Sequence, residues 1–426
     1  MTAPFDFFRY KNGVLSAESV PLSEIADAVG TPAYVYSAEA FLQPLRELQK
    51  GLASVDHLVC FALKSNSNIG LLKLLGEAGA GMDLVSGGEL FRATKAGIDP
   101  RRIVFSGVGK TPGEMAQALR DGIFSFNVES KAELEVLSAV ATHEKRRAPV
   151  ALRYNPDVDA RTHPYISTGL KKNKFGIQRA EILDIARKLD HYPGIELKGI
   201  SIHIGSQLLS LSPLNDAFSR LTTLLEELDG ILETPLSFVD LGGGVGITYD
   251  REKPPALQKY CALILKHFGP KAQKKRPLKI LIEPGRTLSG NSGVLLTEVL
   301  YRKERGRKQW LVVDAAMNDL MRPSLYGSFH GIVPVEQAKT RGKPRKSDIV
   351  GPVCESSDCF ASDRPIPSSV EDGDLLAILS AGAYGFTMAS NYNSRPRPPE
   401  VLVQNGSFRV IRERENYDDL LRGEAF

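Results

Sequence analysis

Residues 57–86 read HLVCFALKSNSNIGLLKLLGEAGAGMDLVS. An apolar run, HLVCFALK (57–64), ends in a lysine. A polar loop and a helix-like segment follow, and then a second apolar run, AGMDLVS (80–86). Short runs that are apolar on both faces suit strands covered on both sides, and a helix between two of them makes the strands parallel neighbours. The same grammar continues through RIVFSG (102–107), IFSFNVE (123–129), PVALRYN (149–155), LKGISIHIG (197–205), LSFVDLGGG (236–244) and LKILIEPG (278–285). The intervening ELFRATKAG, TPGEMAQALRDG and KAELEVLSAV carry apolar residues at helical spacing. Thr111 reads as a helix cap with Pro112 at the first helical position and Gly122 as the stop, and NDAFSRLTTLLEELDG ends in the same way at Gly230. Eight βα units predict a (β/α)8 barrel of the TIM type, in an α/β chain. A Rossmann-type sheet would need a topological switch and usually has fewer strands.

Beyond about residue 290 the pattern changes. VLLTEVLYRKERG, KQWLVVDA, DLLAILSAGAYG and SFRVIRERE read as strands between Pro- and Gly-rich turns. The expected organisation is a barrel over 36–288 and a second, mainly β domain, sandwich- or barrel-like, formed by 1–35 together with 289–426. FFRYKNGVLSA and AYVYS supply the first strands of that second domain.

The chain has 426 residues, 42% hydrophobic and 24% charged, which is the composition of a globular protein able to bury a large core. A net charge of +4 is too small for a nucleic-acid binder. The basic runs at Lys274–Arg276 and Arg341–Lys346 read as solvated loops. The four cysteines form no CxxC pair, so free thiols in a reducing compartment are expected. With no signal-like N-terminus and no long apolar stretch, a cytoplasmic protein without a membrane span is expected.

Barrel enzymes carry their reactive groups at the C-terminal ends of the strands. Here those ends present Lys64, Asp83, His203, Gly242–Gly246, Glu283, Gly285 and Arg286. A partly desolvated lysine can attack a carbonyl as the free amine, although a strand-end lysine can also simply reach for water. Glycines after the seventh strand suit a phosphate, or only a tight turn. Glu283 could keep a pyridine nitrogen protonated, or could pair with Arg286. His203 could lie against an aromatic cofactor or be a satisfied core histidine.

CFALKSN, DLVSGGEL, HIGSQ, DLGGGVGI, EPGR, MRPSLYGSFH, GPVCESSD and AGAYG occur in this order, and the sequence resembles the alanine-racemase-like (fold type III) pyridoxal-phosphate decarboxylases from about residue 5 to 420. HPYISTGLKKNKFGI (163–177) is similar to a lid in that family. The resemblance implies pyridoxal 5′-phosphate held as a Schiff base on Lys64, with His203 against its ring and Glu283 at its nitrogen. It implies a phosphate and ring site of Ser206, Gly243, Gly244, Gly285, Arg286 and Tyr384. Arg286, Arg322, Tyr326 and Tyr384 would hold the far end of the substrate, Glu355 its far ammonium, and Cys354 would donate a proton. It further implies a homodimer in which Cys354 and Glu355 complete the partner's site. A far carboxylate calls for arginine and a far ammonium for a carboxylate, and Arg286, Arg322 and Glu355 meet both demands. The substrate implied is meso-2,6-diaminopimelate, decarboxylated to L-lysine at the end of lysine biosynthesis. Val245 and Thr248 stand where the family more often has Leu and Pro.

Alternatives of other kinds are weaker. A decarboxylase of ornithine, lysine, arginine or carboxynorspermidine has no need of the second amino-acid centre that Arg286, Arg322 and Glu355 serve. A two-base racemase would present tyrosine rather than Cys354. A non-catalytic homologue would be expected to lose Lys64, Cys354 or the glycine run, and a small cofactor-carrier barrel would lack the β domain.

Overall fold

The computed structural model describes residues 7–159, 174–306 and 308–425. The lid-like segment 163–177 therefore lies outside the described residues except for 174–177. Two compact units are present: Gln43–Ile247 with Lys253–Thr287, and Met1–Leu42 with Thr248–Glu252 and Leu288–Phe426.

The first unit is a closed eight-stranded parallel barrel. Its strands are His57–Ala62, Gly81–Leu84, Ile103–Phe105, Ser125–Val128, Ala148–Tyr154, Ile195–Ile202, Phe238–Asp240 and Lys279–Ile282. Closure comes where Ile280–Ile282 pairs with His57–Val59. Leu58, Cys60, Val104, Ala151, Phe238 and Leu281 pack together as one buried cluster. Gly199 is required beside it, because a Cβ there would stand 2.7 Å from the Phe238 ring.

All eight expected strands are present, and all but Ala148–Tyr154 are shorter than their apolar runs. Lys64 lies in a 3-10 turn, Leu63–Ser65, just past its strand, and His203 follows the end of Ile195–Ile202. The helix Pro112–Asp121 has the termini its sequence predicts. Thr111 and Glu114 form a reciprocal capping box, and Gly122 closes the helix at φ +73°.

The second unit is mainly β. Phe8–Lys11, Val14–Ala17 and Val20–Pro21 form a three-stranded sheet. A nine-stranded sheet is built around Gly293–Arg305, whose first half pairs with Ala33–Ser37 and Leu375–Ile378 and whose second half pairs with Lys308–Val313. Phe8, Leu15, Leu22 and Ile25 pack against Val35, Val294, Leu296, Ala377 and Val401, so the small sheet and the helix Leu22–Val29 cover one face of the large sheet.

One sequence expectation is corrected here. The basic run Arg341–Lys346 is not wholly loop, because Pro344–Val350 is a strand between Lys308–Val313 and Cys359–Pro367. Its charged half, Pro344–Lys346, pairs only with Pro365–Pro367 and stays exposed, so charge and proline are tolerated there.

Candidate active site

The barrel mouth is a cluster of buried acids around one lysine. Lys64 Nζ lies 2.9 Å from Asp83 Oδ2, and the Asp83 side chain is fully buried. A carboxylate at that distance favours the ammonium, so the uncharged amine expected from desolvation is not the state this pair supports. Asp83 Oδ1 is buried without a hydrogen-bond partner.

Asp240, at the end of the seventh strand, and Glu283, just past the eighth, share this space. Asn127 Nδ2 donates to Asp240 Oδ2 at 3.0 Å and to Glu283 Oε1 at 3.2 Å, while Ser106 Oγ donates to the same Glu283 oxygen at 3.4 Å. Burial, with Asp240 and Asp83 nearby, pushes the Glu283 carboxyl well above its ordinary range. Burial raises Asp240 too. The two carboxyls are neighbours in one buried space, where like charges repel, so a proton on one of them is favoured. Asp240, Asn127 and Ser106 were not singled out in the sequence. The signal was an acid inside the otherwise apolar run LSFVDL.

His203 stands beside the glycine turn. Gly243 N donates to its Nδ1 at 3.2 Å, and Gly242 N donates to Asp240 Oδ1 at 3.0 Å. Burial first, then Arg153 and Lys64, drive the His203 pKa well below its usual value. The glycines are obligatory by space: a Cβ on Gly243 would meet Glu283 O at 2.1 Å, and one on Gly244, at φ +111°, would meet Gly205 O at 2.3 Å. Ser206 Oγ accepts from Arg286 Nε at 3.3 Å and from Nη2 at 3.4 Å. Gly285 packs 3.2 Å from Ala62 and Ser65 by the same measure. The mouth thus brings together Lys64, His203, Ser206, Gly243, Gly244, Glu283, Gly285 and Arg286.

Arg153 and Glu129 form a further buried pair at this end of the barrel, joined through Arg153 Nη1 and Glu129 Oε1. Glu129 Oε2 accepts from Gly176 N at 2.9 Å, and the guanidinium of Arg153 lies 4.9 Å from the Phe175 ring centroid. These contacts fix the C-terminal end of 163–177 to the barrel.

The β unit carries the remaining candidates. Arg322 is buried and Tyr326 half-buried on the helix Arg322–Tyr326. Cys354 and Glu355 are exposed. Their loop is held from beneath by Asp358, which accepts from Val353 N at 2.8 Å and from Met317 N at 2.7 Å. Cys354 N donates to Asn393 Oδ1 at 2.9 Å. Ser357 and Tyr392 donate to the Glu355 carboxylate and keep its pKa below the ordinary value. Tyr384 has φ +56°, an uncommon conformation for a side-chain-bearing residue. Cys359 pairs with Val350 across strands, its thiol 3.4 Å from Ser362 Oγ.

Comparison with known proteins sets this geometry in a family. Residues 39–290 match the family model described as pyridoxal-dependent decarboxylase, pyridoxal binding domain. The chain belongs to the pyridoxal-dependent decarboxylases. Along its whole length it is similar to diaminopimelate decarboxylases. It is 47% identical to that of Aquifex aeolicus over 97% of this chain and 96% of the relative, and 48% identical to that of Pseudomonas aeruginosa over 99% of each. The crystal structure of diaminopimelate decarboxylase from Helicobacter pylori, complexed with L-lysine, superposes with a TM-score of 0.88 at 42% identity, covering 94% of this chain and 98% of that one.

Proposed function

We propose that this chain is a carboxy-lyase that uses pyridoxal 5′-phosphate to convert meso-2,6-diaminopimelate to L-lysine and CO2, the last step of lysine biosynthesis. The observation that carries the reading is the charge pattern of the mouth. Three buried acids, Asp83, Asp240 and Glu283, face one lysine. Such a cluster is short of positive charge and fits a ligand that brings a cationic N–H. The cramped glycines, Ser206 and Arg286 suit an anion beside it. Both halves match the cofactor, a protonated pyridine bearing a phosphate.

Lys64 would hold the cofactor covalently, and His203 would lie against its ring. Ser206, Gly243, Gly244, Gly285, Arg286 and Tyr384 would hold its phosphate and ring. The Gly243 N–H is already directed at His203, so its contribution is the close backbone approach that a bare Cα permits. When bound, the cofactor supplies an electron sink for the pair left by the departing carboxylate. Glu283 keeps a proton at the ring nitrogen. Cys354 Sγ delivers a proton to the α-carbon of the product. Arg286, Arg322, Tyr326 and Tyr384 grip the far end of the substrate, and Glu355 receives its ammonium.

The same reading gives a homodimer that completes each site with Cys354 and Glu355 of the partner. The exposure of both residues, on a loop ordered by Asp358 and Asn393, supports it. It also keeps the barrel as 36–288 and the β domain as 1–35 plus 289–426. A cytoplasmic setting is supported by four free cysteines. Among the described residues no helix is long and apolar enough to cross a membrane.

The test is direct. Purified protein with pyridoxal phosphate is expected to release CO2 and lysine from meso-diaminopimelate. Turnover of ornithine or arginine in its place would sink the substrate assignment.

A further inference from the structure

Three uncharged side chains contact Arg322. Its Nη1 donates to Nε2 of His330 at 3.1 Å, and Nη2 donates to Ser328 Oγ at 3.2 Å. The guanidinium carbon lies 4.7 Å from the centroid of the Tyr249 ring. These contacts set the plane of the guanidinium.

His330 is fully buried, and its tautomer follows from its other nitrogen. Nδ1 lies 2.8 Å from the carbonyl oxygen of Leu379. A carbonyl only accepts, so Nδ1 carries the proton. A guanidinium only donates, so Nε2 must accept. Both demands are met by the neutral imidazole. The ring of Tyr249 meets the imidazole edge-on, with centroids 5.5 Å apart, so the ring and the imidazole also brace each other. Tyr249 belongs to Thr248–Glu252, the short stretch that leaves the barrel segment to join the β unit. That excursion thereby delivers an aromatic face to the arginine.

A planar guanidinium grips a carboxylate through two parallel N–H bonds only when its plane is set in advance. We propose that His330 and Tyr249 are positioning residues for Arg322 and that, through it, they determine the preference for a ligand with a carboxylate at the end remote from the reacting carbon. This rests on the proposed role of Arg322 as the grip on that carboxylate.

The test uses the holoenzyme and two ligands that differ only in that group, L-lysine and 1,5-diaminopentane, with affinities measured by calorimetry. His330→Asn keeps an N–H for Leu379 but is too short to place an acceptor where Nε2 meets Arg322. It is expected to weaken L-lysine about tenfold, the scale of one hydrogen bond to a charged group, and to leave 1,5-diaminopentane unchanged. His330→Gln returns an acceptor oxygen and should recover most of the loss. Tyr249→Leu should behave like His330→Asn, and Tyr249→Phe like the parent. With diaminopimelate, KM should rise more than kcat falls. In an Arg322→Ala background, His330→Asn should add nothing, because the imidazole acts only through the arginine. A loss that is equal for both ligands, or additive with Arg322→Ala, overturns the inference. If Arg322→Ala itself leaves the ratio of the two affinities unchanged, the role of Arg322 fails first, and that outcome is distinct. Should His330→Asn not fold, Tyr249→Leu carries the same comparison.

Discussion

Nδ1 of His203 accepts the backbone N–H of Gly243 at 3.2 Å. The proton of a neutral imidazole must therefore sit on Nε2, and a second proton on Nδ1 would break the contact. The glycine turn and the histidine are one unit: the turn fixes the tautomer, and the tautomer fixes which edge of the ring carries a donor.

His203 is accordingly expected to stay neutral between about pH 6 and 8, where a free histidine titrates. An unfolded histidine charges near pH 6.5, whereas burial, Arg153 and Lys64 hold the folded one well below that value. Its contribution to stability is present above about pH 6.5 and is lost as pH falls through the lower, folded value. Imidazole NMR shifts should be flat across the range. A midpoint between 6 and 7 would contradict the assignment.

Lys64→Ala and Lys64→Arg should each abolish the visible absorbance of a covalently held cofactor and lower kcat by about 10³-fold or more. Lys64→Arg retains a positive partner for Asp83, so its thermal stability should stay nearer the parent's. Retained absorbance in either variant would remove Lys64 from the role.

Without cofactor, Glu283 should make the protein less stable as pH rises. Its folded pKa lies well above the unfolded value near 4.3, so the folded state holds the extra proton. The stabilisation is complete below that unfolded value and disappears as pH climbs through the folded one. Glu283→Gln should flatten the fall in Tm between pH 5.5 and 8, and bound cofactor should flatten it in the parent. Parallel Tm curves for parent and variant would exclude the raised carboxyl.

Cys354→Ala should cut turnover by about 10²- to 10⁴-fold while leaving cofactor loading intact, since the side chain is exposed on its loop and its backbone N–H, not its thiol, is what Asn393 holds. Solvent-deuterium incorporation into the lysine formed gives a second readout. Unchanged turnover would move the proton donor elsewhere.

Thr111→Ala removes the capping box of Pro112–Asp121, a helix that carries none of the proposed site residues. It should cost about 1 kcal/mol, a Tm change of roughly 1–2 °C in a chain of this length, with kcat unaffected. Calorimetry and a standard assay decide it.

The barrel was legible because its strands are buried on both faces, and runs such as HLVCFA and KILI need no partner to be recognised. Lys64, His203 and Glu283 were legible because strand ends are where polar residues interrupt such runs. Asp240 was hidden inside the apolar run LSFVDL, and its meaning depends on Glu283 and Asn127 from other stretches of the chain. The β unit was read less completely. Cys359–Pro367 contains Asp, Arg and two prolines and shifts register twice against Pro344–Val350, so no clean alternation marks it. The pairing of Arg322 with Tyr249 joins distant stretches, and no local pattern announces it.

Ala33–Ser37 lies between Gly293–Leu296 on one side and Glu400–Val403 on the other. On the ribosome this early strand has neither neighbour until the entire barrel segment has been made. At about 5–20 residues per second the wait is on the order of ten seconds or more. Tyr34 and Tyr36, fully buried at the end, are uncovered throughout it. The first seven barrel strands, each pairing with the next in sequence, can assemble during that interval, and closure follows once Lys279–Ile282 emerges. The chain is therefore built so that the half carrying Lys64 can form first, and the half carrying Arg322 and Cys354 is locked only when the last strands emerge.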